Sequence, residues 1–210
     1  MTAPAPLTAP PASALPASAV AAKILVAASR LFYVDGIRAV SADRVIAEAD
    51  VSKVTFYRHY PTKDLLVAAY LTAVSQGERE ALDAARAAHP DDPAAVLRSY
   101  AGALGHESCA PGFRGCPFIN AAAEYADPEH PVRAVVAAHR TWLTGTAASL
   151  LAALGGVDDP DATAAELVML RDGAMVAGYV GDPDVVSAAL LHAGTAIVSS
   201  HRTETPRSGA

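Results

Sequence analysis

The sequence predicts an all-α fold of about nine helices, and three observations carry that prediction. Apolar residues make up 52% of the chain and aromatic residues only 6%. With Ala dominant among them, this composition suits close-packed helices better than sheets, which draw on Val, Ile and aromatic rings. Apolar positions recur at helical spacing, with no alternating strand pattern and no fixed-period repeat. Proline and glycine clusters then cut the chain into pieces of helix length. At 210 residues the chain can form one large domain or two small ones, either with a sizeable core.

Residues 1 to 17, Pro- and Ala-rich, have too little apolar variety for a core and read as a disordered arm. Residues 1 to 19 hold no Lys or Arg, and proline interrupts every apolar run, which argues against a secretory signal. The first helix is expected from about Ser18 to Val34, with Val20, Ile24, Ala27, Ala28 and Leu31 on one face and Asp35-Gly36 ending it. Ser41 caps a short helix, "ADRVIAEA". After a tight turn at Asp50-Val51, Ser52 caps another, "KVTFYRHY", which Pro61-Thr62 closes before a long helix from Lys63. Breaks at 89–93, 110–117, 127–131, 155–160 and 181–183 then separate helices near 63–88, 93–106, 117–126, 130–154, 161–180 and 184–200. The expected organisation is the arm at 1–17, a three-helix domain at 18–64, a helical body at 65–202 and a flexible tail at 203–210.

Net charge is −6 overall, which on its face argues against a nucleic-acid partner. The charge is unevenly divided. Between Val20 and Thr72 seven basic residues face five acidic ones, a net of +2, so the remainder carries −8. That split fits a mildly basic N-terminal module on an acidic body with a separate task. The two cysteines, Cys109 and Cys116, are too few for a disulfide scaffold and suit a reducing cytoplasm. The longest uncharged runs, 141–157 and 185–201, are shorter than the ~20 residues of a spanning helix. No membrane association is expected.

Two short capped helices joined by a turn form a helix-turn-helix. In that motif the second helix enters the major groove while flanking residues grip phosphates. Residues 50–66, "DVSKVTFYRHYPTKDLL", have the required order. Ser52 and Lys53 open the helix, where unpaired N–H groups favour a phosphate. Thr55 and Tyr57 carry hydroxyl donors, and His59 and Lys63 sit four apart across the helix end. Helical spacing puts Val51, Val54, Phe56 and Tyr60 on the side that packs.

The stretch "AASRLFYVDGIRAVSADRVIAEADVSKVTFYRHYPTKDLLVAAYL", residues 27–71, resembles the DNA-binding domain of TetR-family transcriptional regulators. The resemblance rests on the "LF…GI" end of the first helix, the Ser-capped "ADRVIAEA" and the pattern "VSKVTFYRHYPTKDLL". It implies phosphate contacts at Ser41, Arg44, Thr55, Tyr57, His59 and Lys63, and base-facing positions at Ser52, Lys53 and Val54. Asp50 stands where the family commonly has glycine. Asp tolerates the left-handed backbone better than most residues, but its charge lies close to the expected DNA surface.

The resemblance also implies that the helical body binds a small molecule and forms a homodimer through its last two long helices. Such a dimer would read a palindromic operator in double-stranded DNA, with half-sites about one helical turn apart. The segment "FRGCPFINAAAEYADPEHPVR", 113–133, resembles a stretch that lies beside the ligand cavity in one branch of the family. Phe118, Asn120 and Glu124 are candidate ligand contacts there, joined by Trp142, Met169, Met175 and Tyr179, a mostly apolar set suited to a mostly apolar effector.

The expected function is a cytoplasmic, ligand-responsive repressor with no cofactor. The rival readings are a helical adaptor that docks a protein partner and a redox-sensing regulator using Cys109 and Cys116. His106, Cys109 and Cys116 match no zinc spacing, so no metal is expected. Glu124, His139 and Asp172 would be the residues of a helical enzyme, but no phosphate-binding loop, nucleophile elbow or H-E-x-x-H motif accompanies them. Arg171 and Asp172, adjacent in an apolar helix, read as a buried structural pair.

Overall fold

The computed structural model describes residues 10–202. Among these, nine α-helices account for nearly all regular structure: α1 (Ala19–Asp35), α2 (Ala42–Glu48), α3 (Lys53–His59), α4 (Lys63–Ala88), α5 (Pro93–Ser108), α6 (Pro117–Glu124), α7 (Pro131–Leu154), α8 (Pro160–Val180) and α9 (Pro183–Ser200). The all-α expectation holds, and the punctuation residues explain why the boundaries fall where they do. Ser18, Ser41, Ser52, Asp92 and Asp159 each accept a backbone N–H three residues on, satisfying donors that a helix start leaves unpaired. Pro93, Pro117 and Pro160 occupy first-turn positions where a missing N–H costs nothing. Gly36, at φ 89°, stops α1.

The arm expected at 1–17 lies outside the described residues up to position 9. Beyond it, Ala12–Ala14 form one 3-10 turn, and the Ser13 hydroxyl donates to the Glu80 carboxylate on α4 at 2.7–2.8 Å.

The chain divides into two compact units that do not follow a single cut in the sequence: residues 1–83 with 110–140, and residues 84–109 with 141–210. The boundary therefore falls inside α4 and inside α7. In the first unit, α1 to α3 close on one another and on the start of α4. Ile24, Leu25, Ala28 and Leu31 of α1 are buried with Val40, Val45, Phe56, Leu66 and Leu71. Full burial of each larger aliphatic or aromatic side chain contributes roughly 1.5–3 kcal/mol. The Phe32 and Tyr70 rings meet at 6.0 Å, and the Tyr60 hydroxyl donates to the Ala21 carbonyl at 3.3 Å.

In the second unit, Ala148, Leu151 and Ala164 form a cluster against Leu97, Val157, Leu167 and Val198. α5 and α9 approach so closely that a Cβ on Gly105 would lie 2.4 Å from the Ser187 Cβ. Only glycine allows that contact. Arg171, nearly buried, pairs with Asp172 at 3.2 Å and donates to the Tyr100 hydroxyl at 3.3 Å, as the sequence suggested. No described helix is long and apolar enough to cross a membrane.

Candidate nucleic-acid interface

α3 is a short helix with sharply divided faces. Phe56 is fully buried and Tyr60 nearly so, whereas Val54 is 70% exposed and Tyr57 40%. Ser52, Lys53 and Arg58 face solvent with them, and Thr55 and His59 are half-buried. The structure thus corrects the packing role that helical spacing gave Val54. That residue projects outward at the start of the helix, beside Lys53 and where the resemblance placed a base-facing side chain. Seven residues make only two turns, so one misplaced apolar residue is enough to blur the pattern.

The helix start is well fixed. The Ser52 Oγ accepts the Thr55 N–H at 3.1 Å and lies 2.8 Å from the Thr55 hydroxyl. The Thr62 hydroxyl likewise accepts the Leu65 N–H at 3.1 Å, capping α4 just before Lys63 would need to reach a phosphate. Ser41 accepts the Arg44 N–H at 3.1 Å. Ser41, Ser52 and Thr62 therefore orient backbone amides through their side-chain oxygens.

Asp50 adopts φ 46°, the left-handed conformation that the tight turn demands, and is the one non-glycine to do so among the described residues. Its carboxylate lies 3.5 Å from the Lys23 ammonium. Three further cations of the domain are similarly partnered: Arg44 with Asp35 at 2.8 Å, Lys53 with Asp43 at 3.4 Å, and Arg30 with Glu48. All four pairs are substantially solvated, so each contributes little to stability. Lys63 is different. Burial lowers its pKa from the usual lysine value, and the nearby Glu124 and Asp64 carboxylates push the other way. Its ammonium lies 6.0 Å from the Phe32 ring centre.

The expected ligand contacts are scattered. In the first unit, Phe118 is buried and stacks flat on His139, with ring centres 3.6 Å apart. Asn120 is exposed and donates to the Arg114 carbonyl at 2.9 Å. Glu124 directs both carboxylate oxygens to the turn after α1: Oε1 accepts the Ile37 N–H at 2.9 Å and Oε2 the Arg38 N–H at 2.5 Å. In the second unit, Met175 is buried and Trp142 half-buried, while Met169 is 63% exposed and Tyr179 45%.

Beneath Phe118 lies a polar group in which His139, a candidate enzyme residue on sequence grounds, meets two partners that no short motif marks. His139 and Glu78, both almost fully buried, approach to 3.3 Å, and the His139 Nδ1 is 3.1 Å from the Ser75 hydroxyl. The trace of those partners in the sequence is a Glu and a Ser on the apolar face of α4. Of the cysteines, Cys109 is exposed and Cys116 buried.

A short capped helix, held from behind by aromatic anchors and showing cations, hydroxyls and one apolar side chain to solvent, is the reading head of a helix-turn-helix DNA-binding regulator. Residues 24–70 match the family model described as bacterial regulatory proteins, tetR family. A TetR-family transcriptional regulator from Streptomyces coelicolor is 43% identical, with 87% of this chain and 95% of that one covered at a TM-score of 0.82. A protein described as a tetR transcriptional regulator from Streptomyces avermitilis is 25% identical over 85% and 96% of the two chains, with a TM-score of 0.74. The reduced form of Escherichia coli NemR, 16% identical over 88% and 97%, shares the fold with a TM-score of 0.76. No curated protein matches the chain. The chain belongs to the TetR family of transcriptional regulators.

Proposed function

We propose that the protein acts as a homodimeric repressor on a palindromic operator and leaves it when a small, largely apolar molecule binds the helical body. The observation that carries the DNA half of this reading is the exposure of α3: Lys53, Val54, Tyr57 and Arg58 face outward while Phe56 and Tyr60 lock the helix from behind. Ser52, Lys53 and Val54 are assigned to base edges, and Ser41, Arg44, Thr55, Tyr57, His59 and Lys63 to phosphates.

The dimer is supported by α8. Ala165, Met169, Gly173, Val176 and Val180 are all exposed. Their spacing of three and four places them on one stripe of the helix, with no charge among them. A stripe of small and aliphatic residues lets a second helix approach closely. An isologous contact there would join two chains, and reading two half-sites of a palindrome requires two copies of α3.

Release by an effector requires that it bind the two dimer geometries unequally, at about 1.4 kcal/mol for each tenfold loss of operator affinity. Tight binding alone would change nothing.

The test is operator binding by Tyr57→Phe and Lys63→Ala proteins that remain folded dimers. Each should bind a fragment of the protein's own upstream region several-fold more weakly, and Lys63→Ala should also reduce the slope of log affinity against log salt by about one unit. Unchanged affinity and slope in both would show the phosphate assignment to be mistaken. An adaptor that docks a protein would show no salt-dependent affinity for a palindrome.

A further inference from the structure

We propose that Glu124 is a positioning residue for DNA binding, resting on the DNA-binding reading of the helix-turn-helix: its carboxylate sets the turn between α1 and α2 and through it the start of α2. The turn begins at Gly36, whose φ of 89° aims the next amides away from α1. Ile37 and Arg38 lie between two helices, so their N–H groups fall outside both helical ladders, and Glu124 accepts both. Two donors on one carboxylate fix that turn in orientation as well as distance, with charge-assisted bonds stronger than neutral ones. Three residues after Arg38 comes Ser41, the cap of α2, and then Arg44, both assigned to phosphates. Ile37 and Val40 are buried on either side, so a shift of the turn is passed to the helix start rather than absorbed.

Glu124 is itself firmly held. It is the last residue of α6. The Arg133 guanidinium on α7 accepts no bond but donates to the Ala122 and Tyr125 carbonyls at 3.2 and 3.1 Å, capping that helix end. The next residue, Tyr125, donates to Asp64 on α4 at 2.9 Å. Burial first, and that hydrogen bond second, keep its phenol protonated well above the usual range. Upstream, the Tyr33 hydroxyl of α1 accepts the Arg114 N–H at 2.9 Å and donates to the Gly115 carbonyl at 3.1 Å. α6 is therefore tied at both ends to the helices that carry the helix-turn-helix, to α1 and its following turn and to α4, and its first turn carries Phe118 against His139.

A charge argument makes the proposal decidable by sign. Glu124 lies near Lys63, so if it acted only as a negative charge beside the DNA footprint, neutralising it would tighten operator binding. A positioning role demands the opposite. Operator affinity is measured for folded Glu124→Gln and Glu124→Asp proteins, well below their melting temperatures and across a range of salt. Gln keeps the length but turns an NH₂ toward one amide. Asp keeps the charge but draws the carboxylate back by one methylene.

Both variants should bind about tenfold more weakly, within the range of ordinary coupling between sites, with the salt slope of the parent because no phosphate contact is removed. Amide exchange in the parent protein should show Ile37 and Arg38 protected, and the variants should lose that protection. Equal or tighter binding by Glu124→Gln, or fast exchange at both amides in the parent, would overturn the proposal. A parent protein without salt-dependent operator binding would instead remove the reading on which it rests.

Discussion

α3 and α8 both leave apolar side chains in water, and the company those side chains keep separates the two helices. On α3, Val54 and Tyr57 stand among Lys53, Arg58 and capping hydroxyls. On α8, Met169, Val176 and Val180 stand with Ala165 and Gly173. An isolated valine surrounded by donors suits a base edge or a thymine methyl in a groove lined with phosphates. A continuous uncharged stripe suits another protein surface. Exposure of a single apolar residue is ordinary on a protein surface; what separates these two helices is the set of neighbours around the exposed side chains.

The sharpest way to break this comparison is Val176→Arg, a charge in the middle of the α8 stripe. It should convert the dimer to a monomer by sedimentation and cost about 10²–10⁴-fold in operator affinity, the advantage of engaging two half-sites at once. A monomer with full affinity would mean that α8 has no part in DNA binding. Next in size is the contrast between two neighbours on α3. Phe56→Ala should destabilise the protein by about 3–5 kcal/mol, as truncation of a buried aromatic does. Val54→Ala should leave the melting temperature almost unchanged while altering preference at one base position by about 1 kcal/mol.

Ser52→Ala should cost about 1 kcal/mol by removing the cap of α3, seen as a lower midpoint of chemical unfolding. Smallest is Asp50→Gly, which relieves the positive φ of an L-residue at some cost in chain entropy and should move stability by less than about 1 kcal/mol. Its operator affinity should rise modestly, because a carboxylate leaves the footprint. A fall would show that the Lys23 pair organises the turn.

The helices were legible in the sequence because their ends are chemical. Serine and aspartate caps, first-turn prolines and Gly36 mark boundaries by satisfying or avoiding specific backbone groups, and such signals are local. The helix-turn-helix was legible for the same reason, since its caps, turn and contact residues lie in one continuous stretch from Ser41 to Lys63. Glu124 was not. Its partners are 86 and 87 positions away, and on helix α6 an acidic residue beside apolar ones looks like a pocket contact. Only the fold brings it to the α1–α2 turn. The grouping of His139 with Glu78 and Ser75 is hidden for the same reason, since α4 and α7 supply it from distant stretches. The grouping of residues 110–140 with the N-terminal helices has no local signature at all.

The pairing of Arg44 has a consequence for how DNA binding is measured. This cation, assigned to a phosphate, already carries a carboxylate counterion within the same chain, Asp35. When a phosphate replaces such a carboxylate, the DNA sheds a condensed cation but the freed aspartate recruits one from solution. The two exchanges partly cancel. A count of phosphate contacts taken from the salt slope will therefore fall short of the contacts made, and Asp35→Asn should steepen that slope by up to about one unit without adding a single new contact.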